Sequence, residues 1–167
     1  MRKTLFGVLT LLLLLNMGFI YYQSAQTGEE SSAISSAVTE EVVEVIMPTI
    51  NEKPQEEKES ILAKFHSIIR TLAHGAEFAL LGGLVYAWLA TYKKTSPLKP
   101  YLRWGMSVLF AGLYGLLDEC HQLFVDDRAF SMADVGIDTL GAFIGAGGML
   151  CLVWICTKLY QMRKPIA

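Results

Sequence analysis

Apolar residues gather into four long stretches, at 4–22, about 68–92, about 101–117 and about 135–157, with polar segments between them. None of the four alternates with period two, as the strands of a closed membrane barrel must. A helix rises 1.5 Å per residue, so about 20 residues cross a hydrocarbon core of about 30 Å. All four stretches approach that length, the third by the smallest margin. The pattern predicts an all-α fold: an integral membrane bundle of four transmembrane helices with an amphipathic extracytoplasmic segment. The expected divisions are a first transmembrane helix (1–22), an acidic outer segment (23–67), a three-helix core (68–157) and a basic tail (158–167).

Two of these assignments have competing readings. Arg2 and Lys3 ahead of the first apolar run, with Gln23-Ser24-Ala25 after it, fit a cleaved signal peptide. The 19-residue run and the interfacial pair Tyr21-Tyr22 fit an uncleaved anchor. In the outer segment, Ile34, Ala37, Val38, Val42 and Val45 recur at helical spacing over 31–47, which predicts a short amphipathic helix on the outer leaflet. Pro48 should end it. Residues 49–60 read as an exposed linker; alternatively, all of 23–60 is a solvated tether.

Composition supports a membrane protein without specifying its role. Apolar residues make up 53% of the 167, and charged residues 18%, against about 25% in soluble domains. A net charge of −2, with no basic stripe, argues against nucleic acid as a partner. Three cysteines do not make a disulfide framework. The expected partner is the lipid bilayer; no cofactor is indicated, and the oligomeric state is open.

Charge placement changes the picture more than total charge does. With the N-terminus inside, the inner segments are 1–3, 93–103 and 158–167. They hold Arg2, Lys3, Lys93, Lys94, Lys99, Arg103, Lys158, Arg163 and Lys164 and no acidic residue. All 16 acidic residues then lie outside or in the membrane. Basic loops stay cytoplasmic, so both termini are expected in the cytoplasm of a multi-pass cell-membrane protein.

Several ionisable residues interrupt the apolar stretches. Arg70, His74 and Glu77 fall at i, i+4 and i+7, on one helix face, and His66 extends that face outward. Asp118, Glu119, His121 and Gln122 end the third stretch; Asp134 and Asp138 open the fourth. An unpaired charge at the bilayer centre costs roughly 2.5–3.5 kcal/mol, so six would cost on the order of 15 kcal/mol. They must face one another or water. The topology puts all of them near the outer side, with Arg128 in the adjoining loop, and so predicts one outward-facing polar cavity.

The cavity admits several chemistries. Arginine forks match phosphate or carboxylate. Histidine beside carboxylates serves as general acid or base, with His74, Glu77, Asp118, Glu119 and His121 as candidates, or as metal ligand. The spacing matches no closed metal site, and no metal is expected. A purely structural reading makes Arg70 and Arg128 neutralise the acids in an ion-pair network. Gly141 and Gly145 form a small-xxx-small step on the face carrying Asp134 and Asp138, suited to packing within the bundle or between two copies. Trp88, Trp104 and Trp154 read as interfacial belt residues.

The order of several short blocks resembles the VanZ-like membrane proteins. The blocks are Tyr22-Gln23-Ser24-Ala25-Gln26 with Ser31-Ser32 and Ser35-Ser36; Arg70 through Phe78; Tyr114 through Phe124 with Arg128; and Ser131 through Ala142. The family more often has proline-glycine where this chain has Asp126-Asp127, and often asparagine where it has Asp138. The resemblance implies a multi-pass protein of Gram-positive cell membranes. It also implies an association with low-level resistance to the lipoglycopeptide teicoplanin. With the motif reading, it makes Arg70, His74, Glu77, Asp118, Glu119, His121, Gln122, Arg128, Asp134 and Asp138 the expected ligand-binding set.

Three functions follow as expectations. The protein binds or alters an envelope lipid, a lipid-linked cell-wall precursor or a lipoglycopeptide. Alternatively, it is a membrane hydrolase or transferase acting on a phosphorylated lipid carrier. A proton-coupled transporter ranks last, because the ionisable groups stop in the outer half and a transporter places its site near the midplane.

Overall fold

The computed structural model describes residues 2–162. Arg163 and Lys164, assigned above to the basic tail, lie outside the described residues. Five helices, joined by short turns, account for most of the described chain: α1 (Arg2–Ser24), α2 (Gly28–Ile46), α3 (Gln55–Thr91), α4 (Pro100–Gln122) and α5 (Met132–Met162). No strand occurs among the described residues.

Local chemistry sets the helix ends. Thr27 caps α2 in a reciprocal box with Glu30, and Glu29 and Glu30 sit at the positive end of the helix dipole. The helix stops at Met47, before Pro48, as the proline predicts. Pro100 opens α4, where its missing N–H costs nothing. Ser131 caps α5 through a bond from the Asp134 amide to its Oγ, at 3.2 Å. At the other end of the bundle, Arg2 Nε donates to the Thr91 carbonyl at the end of α3, at 3.0 Å. That satisfies one of the last orphan acceptors of the helix.

Helix α3 begins earlier than its apolar stretch suggests. At 37 residues it is roughly 55 Å long, well beyond a hydrocarbon core. Its charged first turns carry one i, i+4 pair, Gln55–Glu59, and Lys53, just ahead of the helix, pairs with Glu57. The expected linker at 49–60 therefore reduces to one 3-10 turn, Ile50–Glu52, with Ile50 buried. Residues 23–60 are no tether either, because α2 folds back on α3. Thr39 and Val43 are buried there, and Ser35 Oγ lies 2.9 Å from His66 Nε2.

By length and composition, α1, α3 and α5 can each cross a membrane. Helix α4 is as long as α1 but more diluted by polar and small residues. The contacts order the helices. Gly75 meets Gly141, and Ala79 meets Gly145, so α3 and α5 run parallel. Trp104 meets Phe143, and Gly115 meets Asp138, so α4 runs antiparallel to α5. Thr10 meets Trp88, so α1 runs antiparallel to α3.

The tightest packing is between α3 and α5. A Cβ on Gly141 would lie 2.2 Å from the Gly75 carbonyl oxygen, and one on Gly145 1.8 Å from that of Ala79. The small-residue face therefore works inside the chain. Phe78, Leu81, Val85, Ala111 and Ala142 fill the core beside it, with Ile20 of α1. Trp88 and Trp104 do more than mark a boundary: their indole N–H groups bond Thr10 Oγ1 and the Phe143 carbonyl. Trp154 is largely exposed.

Candidate functional site

Ionisable residues on two helices and a loop converge on a cavity of about 180 Å³ at the end of the bundle opposite Arg2. Helix α3 supplies Arg70, His74 and Glu77, one face of a regular helix. Helix α4 supplies Asp118 and Gln122, and the loop after it Arg128. The end of α1 and the inner face of α2 complete the wall with Gln23, Ser24, Gln26, Ser31, Ile34, Ser35 and Val38.

The remaining members of the expected set stand behind this wall. Glu119 is almost fully buried, and its Oε2 accepts the Ser131 amide at 2.7 Å, fixing the entry to α5. His121 bonds through Nδ1 with Ser24 Oγ at 3.3 Å and packs on the Tyr21 ring. Asp134 lies in the first turn of α5. Asp138 is 1% exposed, and neither carboxyl oxygen has a hydrogen-bond partner. His74 Nδ1 lies 4.0 Å from Asp138 Oδ1.

Arg128 joins two distant segments. Its Nε donates to the Gln26 carbonyl at 3.2 Å and its Nη2 to that of Gln23 at 3.4 Å. Beside this link, the Gly28 amide donates to the Asp126 carbonyl at 3.0 Å. Burial, then the positive charge of Arg70, pull the Arg128 guanidinium down from its ordinary pKa, and Asp118, Glu119 and Asp134 oppose them. These bonds occupy the Nε and Nη2 edge of the guanidinium and leave Nη1 without a protein partner among the described residues.

The expected arginine–carboxylate network does not form. Among the described residues, the ion pairs within 4.0 Å are Lys53–Glu57 and His74–Asp138. Arg70 and Arg128 line the cavity without a carboxylate at that distance. Gln122 donates to Asp118 at 3.3 Å, a link within one helix. The described residues hold no group of three or more His, Cys, Asp or Glu placed to hold a metal ion.

The hydroxyl and amide residues of α1 and α2 are absent from the expected ligand-binding set. Nothing in their chemistry separates them from linker residues. The signal that marked them was the block running from Tyr22 to Gln26 with Ser31-Ser32 and Ser35-Ser36.

The VanZ/LLP1 family model matches residues 9–155, from the first turns of α1 to near the end of α5. The chain belongs to the VanZ/LLP1 family. No curated protein and no solved structure matches it. The match includes every segment lining the cavity. It also gives meaning to a departure from the VanZ pattern. Asp127 stands where glycine is more usual, and it has φ 56°, the left-handed conformation that glycine adopts freely.

Proposed function

We propose that this VanZ family member binds the anionic part of an envelope lipid or lipid-linked cell-wall component at an outward-facing site. On this reading, it lowers the access of a glycopeptide such as teicoplanin to its target. One observation carries the reading: Arg70 and Arg128 line the same cavity with no carboxylate within 4.0 Å of either. Two partly buried guanidinium groups with no contact ion pair favour an anion, and phosphate suits the planar fork of Arg70 and the open Nη1 edge of Arg128.

The membrane arrangement belongs to the same proposal. On this reading α4 returns the chain between the parallel helices α3 and α5, and the bundle makes four passes. Arg2, Lys3, Lys93, Lys94, Lys99, Arg103 and Lys158 gather at the end away from the cavity. The positive-inside rule makes that end cytoplasmic and turns the cavity outward.

The deciding experiment identifies lipid retained by the purified protein with native mass spectrometry, for the parent and for Arg70→Gln and Arg128→Gln. An anionic or phosphate-bearing lipid kept by the parent and lost from both variants is the expected result. Retention unchanged in both variants defeats the reading. In a susceptible host, the same substitutions should abolish any teicoplanin tolerance the parent confers.

A second reading, a membrane hydrolase or transferase, is favoured by His74. Its ring lies beside the unbonded Asp138 carboxyl, an arrangement suited to general acid–base chemistry. Phosphate release from a lipid phosphate that stops in His74→Ala would support it; full turnover in that variant would exclude His74.

A further inference from the structure

The cavity carries two kinds of charge, and neither forms a contact ion pair with the other. Among the described residues, Arg70 and Arg128 have no carboxylate within 4.0 Å, and Glu77 and Asp118 have no cation within that distance. The two kinds are also sorted by position. Arg70 precedes Glu77 by seven residues on α3, roughly 10 Å of rise, with His74 between them. Arg128 stands near Gln23 and Gln26, at the turn between α1 and α2. Asp118 lies one turn beyond Gly115, which packs on Phe78, next to Glu77 in the chain.

A head group that is only anionic matches half of this lining. Its charge satisfies the arginines but still faces the Glu77 and Asp118 carboxylates, and like charges at close range are unfavourable. A head group carrying an anion and a cation a few bonds apart meets both. The carboxylates then receive the ammonium that the protein does not supply.

We propose that the site recognises a dipolar head group, with a phosphoester between Arg70 and Arg128 and a primary ammonium directed to Glu77 and Asp118. This rests on the lipid-binding reading above and narrows it from anionic to zwitterionic. Arginine's fork selects phosphate, and the paired carboxylates select an amine over a hydroxyl. Gln122 donates to Asp118 and so helps to hold one of those carboxylates in place.

The test compares phosphate probes with and without the amine. In nanodiscs, the protein is offered equal amounts of phosphatidylethanolamine and phosphatidylglycerol, and bound lipid is counted by native mass spectrometry. In a second arm, soluble O-phosphoethanolamine and propyl phosphate compete for the site. The expected result is at least a five-fold preference for the amine, with Glu77→Gln and Asp118→Asn each bringing the ratio to about one. Preference in the lipid arm assigns a membrane lipid; preference in the soluble arm alone assigns a free phosphoester. A parent ratio of one or below in both arms overturns the proposal, whatever the variants do. If phosphatidylglycerol still binds and still needs Arg128, the lipid reading survives and only the dipolar one falls. If no lipid binds, both fall.

Discussion

Gly145 sits so close to α3 that a methyl group in place of its hydrogen would lie 1.8 Å from the Ala79 carbonyl oxygen. The obstacle is backbone, which cannot rotate away. Gly145→Ala should therefore separate α3 from α5 and cost about 1–3 kcal/mol. Thermal unfolding in detergent measures the loss. Gly148→Ala is the control: nothing lies within 4 Å of its Cβ position, so stability should hold or rise slightly.

Glu119 should prove a structural carboxylate. Its bond to the Ser131 amide anchors the start of α5. Glu119→Ala leaves that amide unpaired and should cost about 1.5–3 kcal/mol. Glu119→Gln keeps an acceptor and should recover most of the loss. Equal destabilisation by the two would assign the effect to charge instead of the hydrogen bond.

Asp127 holds a left-handed backbone. Asp127→Gly should stabilise by about 0.5–1 kcal/mol, and Asp127→Val should destabilise by more, because a branched Cβ suits that region poorly. Unfolding midpoints of the three proteins decide the order.

Arg128 acts through a planar fork that engages two carbonyls. Arg128→Lys keeps the charge but not the fork. Lipid retention should fall several-fold in Arg128→Lys and further in Arg128→Gln. Full retention in the lysine variant would reduce Arg128 to a point charge.

Topology is open to a labelling test once exposed Cys120, Cys151 and Cys156 are replaced by serine. An impermeant thiol reagent added to whole cells should modify a cysteine placed at position 128 and spare one at position 99. The reverse pattern would turn the cavity to the cytoplasm.

Most of the helices and the ionisable part of the cavity lining are legible in the sequence. Arg70, His74 and Glu77 fall on one face because a helix repeats every 3.6 residues, and no tertiary information is needed to see it. The early start of α3 was not legible in the same way. Glu56, Glu57, Lys58 and Glu59 look like a solvated linker when hydropathy is the measure. The Gln55–Glu59 pair inside the helix, and the bonds from Lys53 to Glu57 and from Lys58 to Asn51 at its start, support them as helix. The lack of arginine–carboxylate pairs lay beyond reach, because it depends on where side chains point once the helices have packed. Glu119 shows the same limit: nothing at its position distinguishes a wall residue from one bonded to Ser131 behind the wall.

The link from Arg128 to Gln23 and Gln26 also sets an order of events. Those partners are about a hundred residues apart in the chain, as are Ser24 and His121. A growing chain makes α1, α2 and most of the α3 face well before Arg128 exists. Until α4 and its loop arrive, the α1–α2 turn has no carbonyl-bridging guanidinium, and one wall of the cavity is missing. The polar face of α3 is therefore made before its eventual neighbours, and the pocket becomes complete only once α4 and its loop are in place.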